Sequence, residues 1–235
     1  RGAETDRVSL RFSGLAGLPK WKLERSPPAH QPKVEQYSTS KSRISMAFLE
    51  IKKFGCPVLR QKAPEIETVT EEVQRLVDDM FDTMYAAEGI GLAAPQIGVS
   101  KRVIVVDVSR QEPNVQPVSL INPELIWSVG EEVREEGCLS LPGVLGDVKR
   151  ATQVRLKALD RDGQTLEMEL NGMFARVTQH EIDHLDGVMV IDHFGAVKRN
   201  LLRGQLRRLK REGSRQTPEP AYVPEEAVVG GDQES

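Results

Sequence analysis

The sequence predicts an α+β fold, and three observations carry that expectation. Apolar residues recur at helical spacing in two separate stretches, Val73 to Met84 and Met173 to Leu185. Four short β-like runs lie between them, two of which flank the turn Asp160-Arg161-Asp162-Gly163. The order is helix, several strands, helix, which is not that of a repeating βαβ layout.

The first helix opens at Thr70-Glu71-Glu72, where Thr70 is placed to cap and the glutamates favour the positive end. Val73, Leu76, Val77, Met80, Phe81 and Met84 form its apolar face, and Gly89 and Gly91 are expected to stop it. The strand-like runs are Val103–Val108, Ser119–Ile121, Val154–Ala158 and Leu166–Leu170. Asp162-Gly163 marks a hairpin between the last two. A second helix is expected from about Gly172 to Leu185, with no proline inside it. A last, basic helix is expected over 197–211, with Leu201, Leu202, Leu206 and Leu209 on its apolar side.

Composition divides the 235 residues into three regions. Residues 1–45 hold nine basic and four acidic residues, with no sustained period and no secretory h-region. They read as a basic, disordered extension, either a targeting segment or a tail preceding a true start at Met46. Residues 46–212 are the expected folded domain, and 213–235 have the composition of an acidic, disordered tail. With 29% charged and 39% hydrophobic residues and no apolar run of bilayer length, the class is soluble and globular. A net charge of -3 gives no electrostatic sign of nucleic-acid binding. Two cysteines, Cys56 and Cys138, are too few for a disulfide framework and indicate a reducing compartment, hence a cytoplasmic location, or an organellar one if residues 1–45 are a targeting extension.

The chemistry centres on His180-Glu181-Ile182-Asp183-His184, an H-E-x-x-H pattern. On a helix, positions i and i+4 share a face, so both imidazoles reach one metal ion while Glu181 stands beside them. The bland alternative is two surface histidines on an ordinary helix, but the chain holds only four histidines, and two at this spacing around a glutamate is an uncommon coincidence. A catalytic site of this kind needs a third protein ligand. The extended metalloprotease pattern fails because Val190 stands where its last histidine belongs; His193 is out of register, and Glu212 sits at the edge of a basic helix. Cys138, in Glu136-Gly137-Cys138-Leu139-Ser140, remains the best candidate, since a thiolate binds such metals well. Cys56 reads as structural. The spacing alone points to zinc. The segment Gly89-Ile90-Gly91-Leu92-Ala93-Ala94-Pro95-Gln96 is a small-residue loop suited to close approach by a ligand, although taken singly a helix cap and turn explain it as well.

Taken together, Gly89–Gln96, Glu136–Ser140 and Gln179–Gly187 resemble, in order, three motifs of the peptide deformylase family, over about Met46 to Arg211. The resemblance implies antiparallel or mixed sheets packed around a central helix carrying the H-E-x-x-H residues. It implies an enzyme that removes the N-formyl group from the formylmethionine of new polypeptides and releases formate. His180, His184 and Cys138 would bind the metal, usually Fe(II), which zinc or nickel can replace. Glu181 would be the general acid/base, and the Gln96 side chain and Leu139 backbone N–H would stabilise the oxyanion. Ile90, Gly91 and Gly137 would bond an extended peptide through the backbone, and Met173 and Val177 would border the methionine pocket. The basic helix would contact ribosomal RNA. A zinc endopeptidase with another third ligand, or a non-catalytic homologue that binds N-termini, are the alternatives. The sequence departs from the family at Leu145, where many members carry an arginine, and at Arg176, in place of a commonly apolar residue, which is expected to face solvent or alter side-chain preference. Arg150 is placed to pair with Glu136, with charge reversal of both expected to restore activity.

Overall fold

The computed structural model describes residues 48–217 and Tyr222. The expectations for residues 1–45 lie outside the described residues, as do those for most of 213–235. Among the described residues, five antiparallel strands form one sheet in the order β1-β2-β3-β6-β7: β1 (Gly91–Ala93), β2 (Val103–Val106), β3 (Val118–Val129), β6 (Gln153–Leu159) and β7 (Thr165–Asn171). A separate antiparallel pair joins β4 (Glu132–Glu136) to β5 (Gly146–Arg150). Four helices follow the order of the chain: α1 (Glu71–Ala86), α2 (Gly172–Leu185), α3 (Ala196–Leu201) and α4 (Arg203–Gly213). The α+β class holds. Of the antiparallel or mixed sheets expected, the antiparallel form is found: every ladder between named strands is antiparallel.

The run Val103-Ile104-Val105-Val106 is apolar throughout because helices cover both faces of the sheet. Alternate residues of a strand point to opposite sides. Val103 and Val105 pack with Leu76, Met80 and Met84 of α1, while Ile104 and Val106 pack with Phe174, Val177 and Ile182 of α2. A third apolar cluster, including Leu141, Val148, Ile191, Phe194 and Leu209, lies beneath β4 and β5 and contains the buried Cys56.

Several boundaries differ from expectation, each for a local reason. Thr70 occupies the N-cap of α1, but its hydroxyl makes no capping bond. The chain leaves α1 through Glu88, a non-glycine at φ +55°, so the glycines do not stop the helix. β3 runs eight residues past Ile121. Asn122 (φ +51°) and Pro123 break its alternation at a register shift against β6 between Ile121 and Glu124, and a second shift follows between Leu125 and Trp127. Asn122 also ties β3 to Ile66, accepting its N–H at 2.9 Å and donating to its carbonyl at 2.8 Å. The basic helix is two helices broken at Leu202.

The α2 boundaries and the β6–β7 hairpin match the sequence reading, with Gly163 at φ +78° in the turn. Within the expected acidic tail, Gln216 accepts the Lys53 N–H at 2.7 Å, and Tyr222 is buried against α1 with its hydroxyl donating to Asp79. No described helix is long and apolar enough to cross a membrane.

Candidate metal centre and active site

Helix α2 carries two parallel stripes. Arg176, His180 and His184 follow one another at intervals of four residues, as do Met173, Val177 and Glu181. The first stripe meets the segment that leaves β4. Cys138 Sγ lies 3.2 Å from His184 Nε2, and one ligand atom each from Cys138, His180 and His184 falls within 4.8 Å of the others. The second stripe meets β1 so closely that a Cβ on Gly91 would stand 2.4 Å from Glu181 Oε1 and 2.6 Å from Val177 Cγ1. Gly91 is therefore a close-approach glycine rather than a helix stop.

A cleft of about 500 Å³ opens between these elements, bounded by Ile90 and Gly91 on one side and by Glu135, Gly137 and Leu145 on the other. Met173, Val177, His180 and Glu181 also line it, as do Gln96, Cys138 and Leu139. Every site residue singled out in the sequence except His184 borders this cleft, and His184 is buried directly against Cys138. The Gln96 side chain is held in a fixed pose. Its Oε1 accepts the Ala93 N–H at 2.8 Å, and its Nε2 points to Ser140 Oγ at 3.4 Å and Cys138 Sγ at 3.6 Å. The Ile90 carbonyl accepts the Asp107 N–H at 3.0 Å. His193 is no ligand; it meets Asp183 at 2.8 Å.

Behind the histidines stands Glu136, with four contacts. Arg150 grips it bidentately at 3.0 and 3.0 Å, Arg176 Nη1 donates at 2.6 Å, and His180 Nδ1 lies at 3.0 Å. Burial alone would raise the Glu136 carboxyl, but His180 and Arg150 bring it down to about 2. The His180 contact turns its other ring nitrogen toward Cys138 and His184. Burial opposes a charge on His180, yet contacts with Cys138 and Glu136 and the charge of Glu181 hold its pKa well above the ordinary value. His184 is driven well below it, first by burial and then by the charge of His180. Burial pushes Glu181 up to about 7. Glu181 Oε2 and His184 Nδ1 are buried with no hydrogen-bond partner among the described residues.

Two expectations change here. Arg176 does not face solvent: it is 5% exposed and bonded to Glu136. Asp183, inside the H-E-x-x-H pattern, had no expected role, yet it accepts from Arg150 at 2.6 Å and so anchors α2 to β5. The four-residue interval from Arg176 to His180 was the signal available for Arg176.

A thiol and two imidazoles around one point, with a buried carboxylate beside them, suit a divalent transition metal. Comparison with known proteins agrees. The family model described as polypeptide deformylase matches residues 48–200. The chain belongs to the polypeptide deformylase family. A peptide deformylase of Thermodesulfovibrio yellowstonii is 52% identical over 165 residues, covering 70% of this chain and 100% of that one. One from Alkalilimnicola ehrlichii is 46% identical over 168 residues, covering 72% and 94%. The crystal structure of a peptide deformylase from Legionella pneumophila superposes with a TM-score of 0.65 at 44% identity, covering 72% of this chain and 99% of that one. The stretch matched by the deformylase family model contains the whole cleft and all three candidate ligands, whereas α4 lies beyond it.

Proposed function

We propose that this protein hydrolyses the N-formyl group of formylmethionyl nascent polypeptides, releasing formate and a free amino terminus. The observation that carries the reading is the convergence of Cys138, His180 and His184 beside a buried Glu181 in a cleft bordered by β1, the edge strand of the larger sheet among the described residues. Cys138, His180 and His184 are the metal ligands, and the thiolate with two imidazoles suits Fe(II), with zinc or nickel as substitutes. Helix α2 bears the two histidines, and the segment that leaves β4 bears the cysteine. Bound there, the metal supplies Lewis acidity that makes water a nucleophile near neutral pH.

The chain's own residues do the rest. Glu181, raised to about 7 by burial, is poised to take a proton as water attacks the formyl carbon. Gln96 Nε2 and the Leu139 backbone N–H face the charge developing on the formyl oxygen. Glu181 then returns a proton to the leaving amine. The outer edge of β1 at Ile90 and Gly91, together with Gly137 opposite, offers backbone groups to an extended peptide. The Ile90 carbonyl is engaged by Asp107, whereas the Ile90 N–H donates to no backbone group outside the helices and strands among the described residues and is the group offered to the peptide. Met173 and Val177 border the methionine side chain.

Formate release from formyl-Met-Ala-Ser tests this. The wild type is expected to turn over, Glu181→Ala to lose about 10²–10⁴-fold, and Cys138→Ala to lose both metal and activity. Robust turnover by Glu181→Ala contradicts the mechanism, and metal retained by Cys138→Ala contradicts the ligand set and favours a zinc endopeptidase.

The exposed cations of α3 and α4, among them Lys198, Arg199, Arg203, Arg207 and Arg211, are suited to phosphates of ribosomal RNA, where nascent chains emerge in the cytoplasm or an organelle. Because α4 buries Leu209 and Gly213 in the domain, substitution tests this better than deletion. Arg203→Glu with Arg207→Glu and Arg211→Glu is expected to weaken ribosome co-sedimentation; unchanged co-sedimentation removes the idea.

A further inference from the structure

The β4–β5 pair bonds to no strand of the larger sheet among the described residues, yet it carries one wall of the cleft and leads into Cys138. Its distance from α2 is therefore set by side chains. Besides the His180–Glu136 contact, two arginines make the connection. Arg150, on β5, reaches Asp183 toward the C-terminal end of α2. Arg176, on α2, reaches the other way. Its Nη1 donates to Glu136 Oε1 at 2.6 Å and to the Val148 carbonyl at 3.2 Å, and its Nη2 donates to the Glu132 carbonyl at 2.8 Å. One planar guanidinium thus holds both ends of β4 and the middle of β5, a geometry that a single-headed cation cannot reproduce.

The placement matters because Arg176 itself lines the cleft, between Met173 and Val177 on one side and Glu136 and Gly137 on the other. We infer that Arg176 is a specificity-determining positioning residue: by tying β4 to α2 it fixes the width of the cleft that admits the first side chain of the formylated peptide. This rests on the function proposed above. An apolar residue of similar length would leave Glu136 compensated by Arg150 and His180, so the candidate ligands keep their support. The Glu132 and Val148 carbonyls would lose this donor, freeing β4 to move away from Met173 and Val177.

The test compares wild type, Arg176→Met and Arg176→Lys in three measurements: formate release from formyl-Met and formyl-Phe peptides, metal per chain, and amide hydrogen exchange across 132–137. In Arg176→Met, the KM for the formyl-Met peptide rises more than kcat falls. The preference for Met over Phe in kcat/KM drops about tenfold. Exchange across 132–137 speeds up while metal content holds. Arg176→Lys, which can reach Glu136 but not all three acceptors, lies between the two. An unchanged Met/Phe ratio with kcat/KM falling equally for both peptides overturns the inference, as does wild-type exchange in a folded variant. If Arg176→Met does not fold, Arg176→Lys decides: a wild-type ratio and wild-type exchange overturn the proposal. Absence of formate release by metal-loaded wild type instead defeats the functional reading, and the exchange data still decide whether Arg176 clamps β4.

Discussion

At the scale of single residues, the site depends on how little room is left around Glu181. Its carboxylate is buried with one oxygen unpartnered among the described residues, and burial lifts its pKa to about 7. Gly91 is the neighbour that permits this, because any side chain there would strike Glu181 and Val177. Gly91→Ala is therefore expected to lower kcat/KM for a formyl-Met peptide at least tenfold, and to cost about 1–3 kcal/mol in stability as β1 is pushed from α2. Steady-state kinetics and urea unfolding on one preparation check both parts. Wild-type kinetics would mean that β1 and α2 do not approach as described. The candidate ligands were legible in the sequence because their chemistry is compressed into motifs. His180 and His184 declare themselves by spacing, and Cys138 by being needed. The burial of Arg176 is not legible because its partners, Val148, Glu136 and Glu132, lie on a separate two-stranded sheet 28, 40 and 44 positions earlier, which no local pattern reveals.

At the scale of elements, α2 is joined to β4 and β5 by buried charge. Arg150 is 6% exposed and serves both Glu136 and Asp183. Arg150→Met leaves both carboxylates short of their partner and is expected to destabilise the fold by about 3 kcal/mol, read from denaturant midpoints. The Arg150–Glu136 pair expected from the sequence is present, but reversing both charges does not suit its surroundings. Reversing both charges would set an arginine at 136 against Arg176 and His180, so the double variant is expected to be no better than the singles even though the pair is present. The elements whose period is clean, α1, α2 and the β6–β7 hairpin, were readable. β1 was hidden because it is only Gly-Leu-Ala. β4 (Glu-Val-Arg-Glu-Glu) and β5 (Gly-Asp-Val-Lys-Arg) were hidden because a two-stranded ribbon with one covered face carries few apolar residues.

At the scale of the whole molecule, two helical layers enclose a sheet, and stability responds to groups that link the layers. Asp107 follows β2. Partial burial works against its charge, but Ser109 and Tyr85 donate to it, and the net effect lowers its pKa below the ordinary 3.8. A depressed carboxyl contributes stability above pH 3.8 that is lost as pH falls through the folded value. Asp107→Asn is therefore expected to be less stable than wild type at pH 7, by under about 1 kcal/mol given its exposure, with the gap closing by about pH 2. A gap independent of pH would assign the loss to packing. The architecture brings one sulfur and two imidazoles to a point, and X-ray absorption at the zinc edge of the zinc-loaded protein interrogates that point directly. The account predicts one sulfur at about 2.3 Å and two nitrogens at about 2.0–2.1 Å. A first shell of nitrogen and oxygen with no sulfur would contradict it.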